Sequence, residues 1–155
     1  MGWTKEQQQA IDLDNKNILV SAAAGSGKTA VLVERVVSHL LRPLGENRPE
    51  AEKPWSVDEL LVVTFTKAAA AEMSDRIGQR LQKAIAQELE NTPPNKALIS
   101  RLQRQIILLA GASISTIDSF CQSIIKNNFA DIDLDPRFRV ANENELILLQ
   151  QEILD

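Results

Sequence analysis

Apolar residues recur along this chain at two spacings, and the change from one to the other sets out its elements. Ile18-Leu-Val20 is a short unbroken apolar run of the kind a buried parallel strand shows, and Val31, Leu32, Val36, Leu40 and Leu41 then recur at helical spacing. Before that run, Thr4 is a good N-cap for a short helix carrying Glu6 to Ile11, which Asn15-Lys-Asn17 interrupts. The Pro- and Gly-bearing stretch from Arg42 to Trp55 reads as a surface loop. Ser56 caps a helical turn, and Leu60 to Thr64 gives a second buried strand. From Lys67 a long helix follows. Its buried stripe is Ala69, Met73, Ile77, Leu81, Ile85 and Leu89, with Glu72, Asp75, Arg76, Arg80 and Lys83 mostly in solvent. Pro93-Pro94 ends it. Leu98, Ile99, Leu102, Ile106 and Leu109 mark another helix from Lys96 to Leu109, so the two form an antiparallel hairpin inserted between strands. Gly111 stops that helix, Ser113 to Thr116 is a third strand, and Ile117 to Phe129 is an amphipathic helix carrying Phe120, Ile124 and Ile125. A turn-rich linker, Asp131 to Pro136, leads to extended Phe138-Arg-Val140. Asn142 with Glu145 then starts a helix still running at Leu154-Asp155.

The first strand, the loop after it and the helix beyond make one unit. Gly25 and Gly27 let the loop curl with its N–H groups inward, and the helix adds the positive end of its dipole, a geometry that wraps a polyphosphate. Ala22, Ala23, Ala24, Gly25, Ser26, Gly27, Lys28 and Thr29 form the cradle. Lys28 reaches the β- and γ-phosphates as a point charge, and the Thr29 hydroxyl completes the coordination of Mg²⁺. The expected ligand is therefore a polyphosphate with Mg²⁺, which the family resemblance given below makes ATP, and Lys28 and Thr29 are the catalytic candidates. Ala22 stands where the pattern G-x-x-x-x-G-K-[ST] has its first glycine, a departure of one methyl group. Gln7, in the helix before the loop, can match an adenine with its amide, or it is one polar residue among three glutamines. Thr64-Phe-Thr66 falls at the carboxyl end of a strand, where open α/β sheets bind ligands.

Composition changes this picture little. With 44% hydrophobic and 25% charged residues the chain suits an ordinary globular fold. No apolar run is long enough for a membrane span and no signal-like leader is visible, so a cytoplasmic protein without a membrane partner is expected. Cys121 and His39 are single, which leaves no internal disulfide and no zinc cluster. A net charge of −4 argues against a surface basic throughout but leaves room for a local basic groove.

Four stretches, in order, resemble motifs of superfamily 1 helicases. Trp3-Thr-Lys-Glu-Gln7-Gln-Gln-Ala-Ile11 resembles their Q-motif, Ala22 to Thr29 their motif I, Thr64-Phe-Thr-Lys-Ala-Ala-Ala-Ala-Glu-Met73 motif Ia, and Ile114-Ser-Thr-Ile-Asp-Ser-Phe-Cys121 motif Ib. Within the UvrD-like group, Ser21 to Arg35 and Phe129 to Phe138 are most similar to the AddA (RexA) family of helicase-nuclease subunits. The resemblance implies an α/β fold, an incomplete RecA-like P-loop NTPase domain with a helical hairpin insertion. Residues 1–129 would be the amino-terminal part of domain 1A, and 130–155 the start of an inserted domain 1B. It also implies that Gln7 contacts adenine, and that Phe65, Thr66, Lys67, Thr116 and Ser119 meet DNA. The implied partners are single- and double-stranded DNA and an AddB/RexB-like subunit, in double-strand break repair by recombination.

Each DNA candidate has a plainer alternative. Phe65 either stacks beside a base or packs in the core; Thr116 and Ser119 either hold phosphate or cap the following helix. Three departures qualify the match: Ala30 where UvrD-like helicases usually have Arg, Lys67 for the usual Asn of motif Ia, and Asp118 at the common His position of motif Ib. A RecB-like or UvrD-like repair helicase without the same nuclease is a neighbouring reading, and a small P-loop nucleotide or metabolite kinase is a different one. The kinase would need an acceptor-side Asp and an arginine-bearing lid, neither of which can be placed. A strand ending in an acidic residue cannot be placed either, since Asp12, Asp14, Asp131, Asp133 and Asp135 lie in turn-like or helix-end surroundings. Residues 1–155 alone are therefore expected to bind ATP weakly without turning it over. Phosphate release measured with and without DNA tests this, and DNA-stimulated turnover would refute it.

Overall fold

The computed structural model describes residues 2–14, 16–23, 25–43, 54–135 and 137–154. Most of the proline- and glycine-bearing loop, including Gly45 and Pro49, and also Asn15, Ala24 and Pro136, lie outside the described residues. The chain forms two compact units, Met1–Ile117 and Asp118–Asp155.

The first unit is mixed α/β. Helix α1 (Lys5–Asp12) opens on a full capping box. The Thr4 hydroxyl accepts from the Gln7 N–H at 3.3 Å, while Gln7 Oε1 accepts from the Thr4 N–H at 2.9 Å. Helix α2 (Lys28–Leu40) follows the glycine loop. A 3-10 turn, Val57–Glu59, then precedes strand β1 (Leu61–Thr64), and α3 (Lys67–Leu89) and α4 (Lys96–Leu109) form the expected hairpin. Strand β2 (Ser113–Thr116) returns parallel to β1, with Leu61 opposite Ser113 and Thr64 opposite Thr116.

One core joins these elements. Val33, Val36, Val37 and Leu40 of α2 pack with Met73, Ile77, Leu81 and Ala84 of α3 and Leu102 of α4, and Leu60, Val62 and Ile114 close it from the strands. The buried side of α3 drifts from the simple four-residue stripe. Ala70 and Ala84 join it, while Leu89 in the last turn is exposed. Arg80 does not face solvent as expected. It is half-buried and forms a bidentate pair with Glu34 of α2 at 2.8 Å on both arms. On α4 the apolar stripe hides a buried glutamine. Gln105 accepts from the Val57 N–H at 2.7 Å and donates to the Ser56 hydroxyl at 3.3 Å, so the hairpin holds the turn that leads into β1.

Two strand expectations change. Residues 18–20 form no ladder with any described strand, and Leu19 is 96% exposed. An extended apolar run becomes a strand only when a neighbour takes its N–H and C=O groups, and β1 and β2 take only each other among the described residues. The strand over 60–64 forms from Leu61 but is not buried. Val62 faces the core while Leu61 and Val63 remain about half exposed, since only one face of the pair is covered.

The far end of α2 is fixed by an aromatic pair. His39 is fully buried and stacks on Trp55 with ring centroids 3.7 Å apart, and the Arg35 guanidinium lies 5.7 Å from the Trp55 ring centroid. His39 Nε2 is 3.4 Å from Asp14, which also pairs with Arg42.

In the second unit α5 (Ile117–Asn127) stops two residues before Phe129. The Asn128 side chain donates to the Ile124 carbonyl at 2.7 Å, and a 3-10 turn, Phe129–Ile132, takes over. No residue of α5 is buried, so Phe120, Ile124 and Ile125 are not core. Helix α6 (Glu143–Leu154) has the expected reciprocal start, with the Asn142 N–H donating to Glu145 and the Glu145 N–H to Asn142 Oδ1, both at 3.0 Å. No helix among the described residues is long and apolar enough to cross a membrane.

Burial, with Arg42 adding to it and Asp14 opposing, pulls the His39 pKa down to about 4. The folded protein therefore takes up this proton later than the unfolded chain. Stability is unaffected by His39 above about pH 6.5 and falls as pH drops toward 4. Denaturant titrations across that window should show the decline, and His39→Phe should flatten it.

Candidate nucleotide and nucleic-acid site

The loop between residue 20 and α2 is shaped by two left-handed glycines, Gly25 at φ +77° and Gly27 at φ +85°. At those angles a Cβ would be strained, which is why the sequence has glycine at both positions. Gly27 is the N-cap of α2 and offers no side-chain acceptor, so the helix enters its first turn abruptly. N–H groups that a Ser or Asp would have satisfied remain for an anion. Lys28, the first residue of α2, is exposed. Its ammonium bends back to donate to the Ala22 carbonyl at 2.7 Å and the Ala23 carbonyl at 2.8 Å. Among the described residues no carboxylate holds it, and an ammonium has three donors. Thr29 is exposed beside it in the same turn.

Gln7 belongs to this cluster although nineteen residues separate it from the loop. Its Nε2 donates to the Ser26 carbonyl at 3.2 Å and lies 3.5 Å from where a Gly27 Cβ would sit. Thus Gln7, Ala22, Ala23, Gly25, Ser26, Gly27, Lys28 and Thr29 converge on one place, and Ala24 lies outside the described residues. Residue patterns alone could not show that one Gln7 amide closes the capping box of α1 and tethers the loop.

The second group sits where the parallel strands end. The register sets Thr64 against Thr116, which brings Phe65, Thr66 and Lys67 to the same end of the pair as Thr116. Phe65 is entirely exposed, so the core-packing alternative does not hold. Thr66 caps α3, its hydroxyl accepting from the Ala69 N–H at 3.1 Å, and Lys67 is the exposed first residue of that helix. Thr116 is buried, and Ser119 lies in the first turn of α5 in the second unit. Helices α2 and α3, which begin at the two groups, pack side by side and share the Glu34–Arg80 pair.

Both described strands end in threonine, and no acidic residue stands at a described strand end. Asp12 ends α1, Asp14 pairs with Arg42, Asp131 lies in the 3-10 turn and Asp133 in the left-handed residue after it, and Asp135 pairs with Arg137. Among the described residues no group of three or more His, Cys, Asp or Glu is placed to hold a metal ion. The exposed Thr29 hydroxyl beside the loop fits Mg²⁺ as a single protein oxygen, since that ion is usually held by few side chains together with phosphate and water.

A left-handed glycine loop opening onto a lysine-led helix, with an exposed aromatic at the end of a parallel strand pair, defines an α/β chain whose class its relatives can name. The chain belongs to the UvrD/REP helicase N-terminal domain family, whose model matches residues 3–155. It is 54% identical over 153 residues to an ATP-dependent helicase/nuclease subunit of Clostridium novyi (strain NT), covering 99% of this chain and 11% of that protein. The protein of the same name from Lachnoclostridium phytofermentans is 50% identical over 152 residues, 98% of this chain and 10% of that one. That from Clostridium beijerinckii is 50% identical over 153 residues, 99% and 11%. The chain thus spans about a tenth of the length of the curated relatives it matches, and the resemblance to helicase-nuclease subunits carried by its motifs is borne out.

Because Phe65 packs against nothing, Phe65→Ala should leave unfolding free energy within about 0.5 kcal/mol of the unaltered protein. A loss of a few kcal/mol in denaturant titration would mean the ring is buried in solution.

Proposed function

We propose that this chain is the amino-terminal, ATP-binding part of an ATP-dependent DNA helicase/nuclease subunit that serves double-strand break repair by recombination. The observation that carries the proposal is the left-handed glycine turn at Gly25 and Gly27, which delivers Lys28 and uncapped N–H groups to one point. The name shared by the three relatives, which calls each an ATP-dependent helicase/nuclease, supports the same reading.

In this reading the chain is most of a RecA-like P-loop domain, with residues 1–129 in domain 1A and 130–155 entering an inserted domain 1B. The loop from Ala22 to Thr29 binds the triphosphate through backbone N–H groups and the Lys28 ammonium, and Gln7 meets the adenine. Thr29 holds Mg²⁺, which when bound neutralises charge on the phosphates. Phe65 stacks beside a DNA base without reading it, as movement along any sequence requires, and Thr66, Lys67, Thr116 and Ser119 meet the strand. The protein works in the cytoplasm on single- and double-stranded DNA with an AddB/RexB-like partner.

Lys28→Ala tests this in the full-length protein. ATP-driven unwinding should fall to background, while stability changes by no more than about 1 kcal/mol because only two solvent-accessible hydrogen bonds are lost. Unwinding retained by a folded Lys28→Ala protein would remove Lys28 from the mechanism.

A further inference from the structure

We propose that Arg35 is a positioning residue for nucleotide recognition: it clasps the carboxyl end of α1 to α2 and so keeps the Gln7 amide at the glycine loop. This rests on the reading of Gln7 as the residue that meets the base.

Helix α1 does not hold itself in place. It has eight residues, short of the length at which an isolated helix is stable in water, and Ile11 is its one buried residue. Gln7, Ala10 and Ile11 stand at i, i+3 and i+4, so they share a face, and they are the residues of α1 least open to solvent. The bond from Gln7 Nε2 to the Ser26 carbonyl is already 3.2 Å long. A shift of α1 by about 1 Å would break it.

Arg35 prevents that shift from the side of α2. The last carbonyls of a helix lack intrahelical partners, and α1 has no basic residue in its last turn to serve them. The Arg35 Nη1 donates to the Ala10 carbonyl at 2.9 Å and to the Ile11 carbonyl at 3.1 Å, and its charge suits the negative end of the helix. The guanidinium is steadied in turn by Trp55, 5.7 Å from its ring centroid, and Trp55 is stacked on His39. A planar guanidinium can lie beside an aromatic ring while donating to carbonyls, which a lysine ammonium does less well. Arg35 also stands two turns beyond Lys28 on the same side of α2, and Ala10, Lys28, Val31, Leu32 and Arg35 line one cavity of about 280 Å³. The clasp on α1 and the lysine of the loop thus belong to one face of one helix.

The test is titration calorimetry on the full-length protein with ATP and with inorganic tripolyphosphate, which carries the phosphates without a base. The ratio of the two affinities isolates what the base contributes. Gln7→Ala should lower that ratio about fivefold, the range of a lost neutral hydrogen bond. Arg35→Ala should lower it by a similar factor with tripolyphosphate affinity unchanged, and should lower it no further when added to Gln7→Ala. Arg35→Lys should fall between the unaltered protein and Arg35→Ala, and it carries the test where Arg35→Ala does not fold. Hydrogen exchange should quicken in α1 of the Arg35 variants and not in α3. If Gln7→Ala lowers the ratio, then an unchanged ratio in the Arg35 variants, an equal loss for both ligands, or additive losses in the double variant overturns the positioning role alone. A ratio unmoved by Gln7→Ala overturns the reading of Gln7, and the role of Arg35 with it. Failure of the unaltered protein to bind tripolyphosphate overturns the phosphate-loop reading on which both stand.

Discussion

Helix α2 has to meet two opposed demands at once. Its first turn must present N–H groups and the Lys28 ammonium to solvent, and its remaining turns must be buried firmly enough to hold that turn in place. Gly27 resolves the first demand, because a left-handed N-cap without a side chain turns the chain sharply into the helix and leaves its donors unclaimed. Val33, Val36, Val37 and Leu40 resolve the second by burying the later turns against α3. The stacked His39 and Trp55 fix the distal end. A helix exposed along its length would hold its lysine far less well.

Helix α3 is the element through which the other parts meet. It is capped by Thr66, packs on α2, lies over both strands and forms the hairpin with α4. The Glu34–Arg80 pair adds a directional tie between the helices that begin at the glycine loop and just after the exposed Phe65. Gln105 does similar work at the other end of β1, fixing the turn that feeds the strand. The placement of Phe65 is therefore a property of the packed unit and not of its loop alone.

What could be read in the sequence was what is encoded locally. Helix α4 and strand β2 have the expected bounds because Asn95, Pro93-Pro94 and Gly111 punctuate them on the spot. The sharp turn into α2 was legible for the same reason, since its two glycines and the helix start at Lys28 are contiguous. Features that need a distant partner were not. The run at Ile18–Val20 looks like a strand, yet pairing is a property of two segments. Gln105 falls in the apolar stripe of α4 at helical spacing from Leu98, Leu102 and Leu109, and a polar residue in that register was the available sign of its buried bonds. The contacts of Gln7 with Ser26 and of His39 with Trp55 arise only once the chain has folded.

The two carbonyl bonds of Lys28 set a threshold on what the loop will accept. An incoming anion must compete with oxygens already within 2.8 Å of the ammonium, so a weakly charged visitor gains little by drawing the lysine away. A chain of phosphates, offering several negative oxygens to the same group and to the helix end beneath it, more than compensates. The resting place of the lysine is thus set by two backbone oxygens, and only a visitor richer in negative oxygens than that pair would draw it away.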